Sequence, residues 1–248
     1  MTERTAPSQT IALVTGANKG IGRQIVDQLA RLGMTVLLAA RDPQRRDEAV
    51  QALRSTGGDV HPVALDVTDP ASIRAAAAHI GTAFGRLDVL VNNAGITGGR
   101  GQPPSTVDVE TVRAVFDTNV LGVIRVTNAM LPLLARSLAP RIVNVSSSVG
   151  SMAAMTDPDG PLADLPASAG YVPSKTALNA LTLQYAKELR KAGVLVNAAC
   201  PGYCATDLND HSGYRTAAQG AAVAVRLATL GPDGPTGGFF NEDGPVPW

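Results

Sequence analysis

The stretch AGYVPSKTALNAL, residues 169–181, sets Tyr171 and Lys175 four positions apart with Pro173 between them. Residues at that spacing share a helical face. Proline is accommodated in a first helical turn, where its missing N–H has no intrahelical partner. The pattern predicts a helix that opens near Tyr171 and brings a phenol beside an ammonium. A phenol ionises near pH 10, and each tenfold gain in acidity takes about 1.4 kcal/mol. A cation roughly 4 Å away, at an effective dielectric of about 20, supplies on the order of 4 kcal/mol. That is enough to make the phenol a working acid and base near neutral pH. The other tyrosines, Tyr185, Tyr203 and Tyr214, have Leu189, Asp207 and Ala218 at this spacing, so Tyr171 alone has a cationic partner. A packed tyrosine next to a solvated lysine gives the same pattern, and the elements around the pair must decide.

Those elements alternate. Short β-branched runs at 11–15, 35–39, 60–65, 88–92, 141–146, 194–199 and 237–240 predict strands. Helices are predicted over 20–32, 43–55, 70–84, 107–137 and 216–230, besides the one opening near Tyr171. Strands that alternate with helices and read as nearly continuous apolar runs imply a parallel sheet covered on both faces. The expected fold is α/β, a doubly wound Rossmann fold with a predominantly parallel sheet of about seven strands. No linker or shift in composition divides the chain, so one domain over 1–248 is expected, with 1–9 flexible. Residues 150–170, GSMAAMTDPDGPLADLPASAG, form an unusually long connection. In such a sheet it hangs beside the carboxyl ends of the strands, where ligands bind.

Composition removes several classes of function. The 21 basic and 21 acidic residues balance, so nothing draws the chain to nucleic acid or an anionic membrane. The opening MTERTAPSQT lacks the apolar core of a signal peptide, and no stretch approaches a membrane span, which points to the cytoplasm. Cys200 and Cys204 have no second cysteine pair, and His61, His79 and His211 are scattered, so no metal is expected.

Directly after the first predicted strand, TGANKGIG places Gly16, Gly20 and Gly22 at the opening of a helix. Glycines there permit a tight turn and let a pyrophosphate approach backbone N–H groups at a positive helix end. The spacing is not G-x-G-x-x-G, and a simple turn would use the same glycines. The second strand ends in LLAARDPQR, with Ala40 and Arg41 where an acidic residue would bind the ribose hydroxyls of NAD. Arg41, with Lys19 as second partner, suits the 2′-phosphate of NADPH. The plainer reading is a charged, solvated helix entrance, since Arg45 and Arg46 follow.

Taken in order, TGANKGIG, LDVTD, NNAG, NVSSSVG, YVPSK and CPGYCATD resemble the motifs of the short-chain dehydrogenase/reductase family over residues 11–207. The chain is most similar to the NADPH-dependent carbonyl reductase branch, through TGANKGIG, the AARD ending and the closing GGFFNEDGPVPW. The resemblance implies that Tyr171 protonates a substrate carbonyl while nicotinamide delivers hydride to its carbon. It implies that Lys175 acidifies the phenol and binds the nicotinamide ribose, and that Ser147 bonds the same carbonyl oxygen. Asn119 would hold a water against the lysine. Asp66 and Val67 would face adenine, Asn93, Ala94 and Gly95 would line the cofactor, and Thr206 would bind its carboxamide. Asn18 and Ile21 belong to the glycine motif, and Pro201 and Gly202 to CPGYCATD.

The expected activity is hydride transfer from NADPH to a ketone or aldehyde, with a small-molecule carbonyl substrate. The rivals are an NAD-dependent secondary-alcohol dehydrogenase and a regulatory protein that senses NADPH without turnover. Met152, Met155, Tyr203, Leu208 and Trp248 are candidate walls of the substrate pocket. The interval from Ser147 to Tyr171 exceeds the common family pattern, and an extra loop there would obstruct the usual helix-mediated assembly. A monomer or small homo-oligomer is expected.

Overall fold

The computed structural model describes residues 9–99 and 102–248. The expected flexible segment lies, through residue 8, outside the described residues, as do residues 100 and 101 of the loop after the fourth strand. The first βα units run β1 (Ile11–Thr15), α1 (Gly20–Arg31), β2 (Thr35–Ala40), α2 (Pro43–Arg54), β3 (Val60–Ala64), α3 (Pro70–Phe84) and β4 (Val89–Asn92). There follow α4 (Val109–Phe116), a π-helical turn Asp117–Leu121, α5 (Gly122–Leu134) and β5 (Arg141–Val145). The chain then forms a 3-10 turn Ser148–Gly150, α6 (Met152–Thr156), α7 (Tyr171–Leu189), β6 (Leu195–Ala199), α8 (Ala217–Ala228) and β7 (Phe239–Phe240).

The seven strands form one parallel sheet in the order β3-β2-β1-β4-β5-β6-β7. Every residue of β1, β2, β4, β5 and β6 is buried, which is why those runs read as mostly apolar. Side chains alternate between the faces of a strand. Ala12 and Val14 pack with Ile25, Leu29 and Leu227 on one side, whereas Leu13 packs with Ile80, Met130 and Tyr185 on the other. Edge strand β3 carries Pro62, a residue a central strand could not tolerate.

Helix entrances follow local chemistry. Asp42 caps α2 by accepting from Arg45 N, Asp69 caps α3 through Ala71 N and Ser72 N, and a proline opens each helix. Thr216 and Gln219 form a capping box on α8. The continuous helix expected over 107–137 is interrupted by the π-helical turn, whose wider winding carries Asn119. The 150–170 connection is partly ordered, with Ser151 capping α6 at Ala154 N. Among the described residues no helix is long and apolar enough to cross a membrane.

Strand order reverses between β1 and β4, so the loops after these two strands diverge and leave a crevice at their carboxyl ends.

Candidate active site

That crevice is a cleft of about 520 Å³. Gly16, Asn18, Lys19, Gly20, Ile21 and Gly22 line it from the glycine loop, Arg41 from the end of β2, and Asp66 and Val67 from the loop after β3. Asn93, Ala94 and Gly95 follow β4, Tyr171 and Lys175 come from α7, and Pro201 and Thr206 follow β6. Gly202, Asn119 and Ser147 are not among the cleft-lining residues.

The glycine loop and the NNAG loop are built against each other. Gly16 has φ +62, and a Cβ there would stand 2.8 Å from the Cα of Ala94. A Cβ on Gly22 would stand 2.4 Å from Nδ2 of Asn93. That amide donates to the carbonyls of Thr15 at 2.8 Å and Gly16 at 3.2 Å. Thr15 Oγ1 accepts from the N–H groups of Asn93 and Ala94. Each loop therefore shapes the other. At the head of α1 the N-cap residue is Lys19, whose side chain gives no capping bond. Unlike the capped α2 and α3, this helix keeps first-turn N–H groups available beside the cleft, and they fit a pyrophosphate.

Arg41 is exposed at the far wall, and Arg45 from α2 lines the cleft with it. Burial works to raise the Asp66 pKa, but bonds from the Thr68 hydroxyl and N–H, with the Arg41 charge, leave it lowered. Lys19, the expected second partner of a 2′-phosphate, instead pairs with Asp207 at 2.6 Å. His211 Nε2 lies 3.0 Å from the other Asp207 oxygen.

At the opposite end, α7 begins at Tyr171 itself, with Pro173 in its first turn. The three serines after β5 have three different partners. Ser146 Oγ donates to Asn179 Oδ1 at 2.6 Å, Ser147 stands beside the Tyr171 phenol and works to lower its pKa, and Ser148 does the same for the Cys200 thiol. Of the three, Ser147 is the one beside the phenol. Lys175, 4 % exposed, donates to the carbonyl of Val145 at 2.9 Å, and its Nζ lies 5.5 Å from the centroid of the Tyr171 ring.

The expected acidification of the phenol by Lys175 is not what prevails. Burial pushes Tyr171 up to about 12, against the bond from Ser147. The same burial brings Lys175 down to about 8. Desolvation disfavours the charged form of each group, raising the phenol and lowering the ammonium. Tyr171 nevertheless keeps part of its surface open to the cleft.

Asn119 is buried behind Gly95, where its Oδ1 accepts from Ile96 N and its Nδ2 donates to Ile96 O and Ser174 Oγ. A Cβ on Gly95 would lie 3.3 Å from Asn119 Oδ1 and 3.7 Å from Lys175 Nζ, so the missing side chain lets both polar groups approach the same face of this glycine. Among the candidate wall residues, Met152, Tyr203 and Leu208 are exposed, and Leu208 lines the cleft. Trp248 is stacked on Phe239 with ring centroids 5.4 Å apart, and its carbonyl accepts from Ala153 N of α6 at 3.1 Å, beside Met152.

The model of the family described as short chain dehydrogenase matches residues 10–216. The chain belongs to the short-chain dehydrogenase family. It is 38 % identical to a short-chain dehydrogenase of Penicillium roqueforti (strain FM164), over 91 % of either chain. It is 34 % identical to a (+)-neomenthol dehydrogenase of Capsicum annuum, covering 97 % of this chain and 98 % of that one. Among solved structures, NADPH-bound carbonyl reductase from chicken fatty liver superposes with a TM-score of 0.85 at 32 % identity, covering 97 % and 99 % of the two chains.

Within this short-chain dehydrogenase, sequence reasoning missed Arg45, Asp207 and Ser146 as parts of the site. No local pattern announces that Asp207 reaches Lys19, since 188 residues separate them.

Proposed function

We propose that this oxidoreductase transfers hydride between NADPH and the carbonyl carbon of a ketone or aldehyde. The supporting observation is that Tyr171, with Ser147 beside its phenol, and Lys175 line one end of a cleft whose other end is an uncapped helix N-terminus behind a glycine loop. Bound NADPH would supply the hydride. The first turn of α1 would hold its pyrophosphate, and Arg41 with Arg45 would read its 2′-phosphate.

Tyr171 gives its proton to the carbonyl oxygen as negative charge grows there, and Ser147 donates a hydrogen bond that steadies the same oxygen. A phenol held near 12 is fully protonated at neutral pH, which suits the reducing direction. The Lys175 ammonium, charged below about 8, steadies the phenolate left behind and offers its remaining hydrogens to a ribose. Asn119, which approaches the same face of Gly95 as Lys175 Nζ, keeps the lysine end of the pocket polar and ordered through its bonds to Ile96 and Ser174. The neighbour with NADPH bound and the relative acting as a neomenthol dehydrogenase agree with this cofactor and with an alcohol–carbonyl pair.

Turnover is tested with NADPH and a panel of quinones, isatins, keto esters and aryl ketones. Tyr171→Phe is expected to lower turnover by about a thousandfold while NADPH binding, read by fluorescence, stays near that of the parent. Full turnover in Tyr171→Phe overturns the role given to the phenol. NADPH binding without oxidation by any carbonyl favours the sensing protein instead.

A further inference from the structure

We propose that Asn179 is a positioning residue for this reaction, clamping the segment Ser146–Gly150 onto α7 so that the Ser147 hydroxyl stays against the Tyr171 phenol. The inference rests on the catalytic reading above. Asn179 is 3 % exposed and lies one helical turn beyond Lys175 on the same face. Its Oδ1 accepts from Ser146 Oγ at 2.6 Å, and its Nδ2 donates to the carbonyl of Gly150 at 3.0 Å. The two bonds bracket Ser147, one on the preceding residue and one three positions later.

The rest of the segment is fastened to the same helix. Lys175 Nζ holds the Val145 carbonyl just before it. A Cβ on Gly150 would stand 2.8 Å from the backbone C and O of Lys175 and 3.0 Å from Asn179 Nδ2. The loop therefore lies flush on the helix backbone at that point. Between these anchors Ser147 is extended, at φ −157 and ψ 152, and its carbonyl closes the 3-10 turn by accepting from Gly150 N at 2.9 Å. The helix that carries the acid thus carries the clamp for the hydrogen-bond donor. The carboxamide is also fixed in sense, because an oxygen turned toward the Gly150 carbonyl would face another acceptor.

A displacement on the order of 1 Å at a reacting group costs about a hundredfold in rate. Loss of the clamp should therefore act on kcat more than on cofactor affinity. The Ser147 bond favours the ionised phenol, so a slackened Ser147 should also raise the pH at which the phenol ionises.

The test compares the parent with Asn179→Ala, Ser146→Ala and Tyr171→Phe. For each, Tm, NADPH affinity, kcat and KM on the best ketone of the panel, and the pH profile for oxidation of the corresponding alcohol by NADP+ are measured. Asn179→Ala is expected to bind NADPH normally, to lose about ten- to a hundredfold in kcat, and to move the alkaline rise of oxidation to higher pH. Ser146→Ala, which removes one of the two bonds, should give a smaller change in the same direction. A lower Tm with kcat and pH profile unchanged overturns the proposal, and so does a fall in kcat with an unmoved profile. If Asn179→Ala does not fold, Ser146→Ala decides by the same two readouts. Tyr171→Phe separates the two ideas: if it retains turnover, the catalytic reading fails, whereas if it is inactive beside an unaffected Asn179→Ala, only the clamp fails.

Discussion

The Lys19 ammonium and the Asp207 carboxylate meet at 2.6 Å, joining the glycine loop to the segment after β6 across the mouth of the cleft. Both side chains are more than half exposed, so the pair competes with water and with any anion that enters. Asp207→Asn should release Lys19 toward a 2′-phosphate and tighten NADPH binding by up to about fivefold, the range of an exposed ion pair. NADPH titrations at low and high ionic strength check this, and the gain should fade with salt.

Arg41 makes no ion pair among the described residues and stands at the cleft wall. Charge-assisted hydrogen bonds contribute about 1.5–3 kcal/mol, so Arg41→Ala should weaken NADPH binding roughly ten- to a hundredfold while NADH binding changes little. Dissociation constants for the two cofactors decide it. Equal losses would show that Arg41 does not read the phosphate.

Lys175 illustrates a cost in stability accepted for the site. Its pKa is about 8 in the folded protein against 10.5 unfolded, so below pH 8 the folded state carries a desolvated charge. Between pH 8 and 10.5 the unfolded chain binds more protons, and this contribution to stability rises with pH. Lys175→Met should therefore be stabilised relative to the parent at pH 7 by at most about 3 kcal/mol, less about 1–3 kcal/mol for the Val145 carbonyl left unpaired. The relative advantage should shrink as pH approaches 10. Urea unfolding of both proteins at pH 7 and 9.5 measures the difference, and turnover should be nearly abolished throughout.

The contact of Gly16 with Ala94 leaves no space for a side chain, and φ +62 disfavours one in any case. Gly16→Ala should destabilise the fold by about 1–3 kcal/mol and weaken NADPH binding, because the Asn93 and Thr15 bonds depend on the same approach. Denaturant midpoints with and without NADPH separate the two effects.

The alternation of buried runs with helical segments determined the layered fold and the place of each strand from local sequence, because burial on both faces leaves a short-range signature, whereas the break of 107–137 into two helices and the short helix α6 did not show in it. The same was true of the Tyr171–Lys175 spacing and of the glycines at 16, 20 and 22, whose roles follow from a helix turn and a strand-to-helix junction. The tertiary structure alone decided which serine meets the phenol, that Asn119 sits in a π-helical turn, and that Lys19 is held by Asp207. It also set the direction of the Tyr171 and Lys175 shifts. Burial and long-range pairing are properties of the packed interior, where the cost of removing a charge from water can exceed the attraction of its partner, and neither can be read from residue spacing.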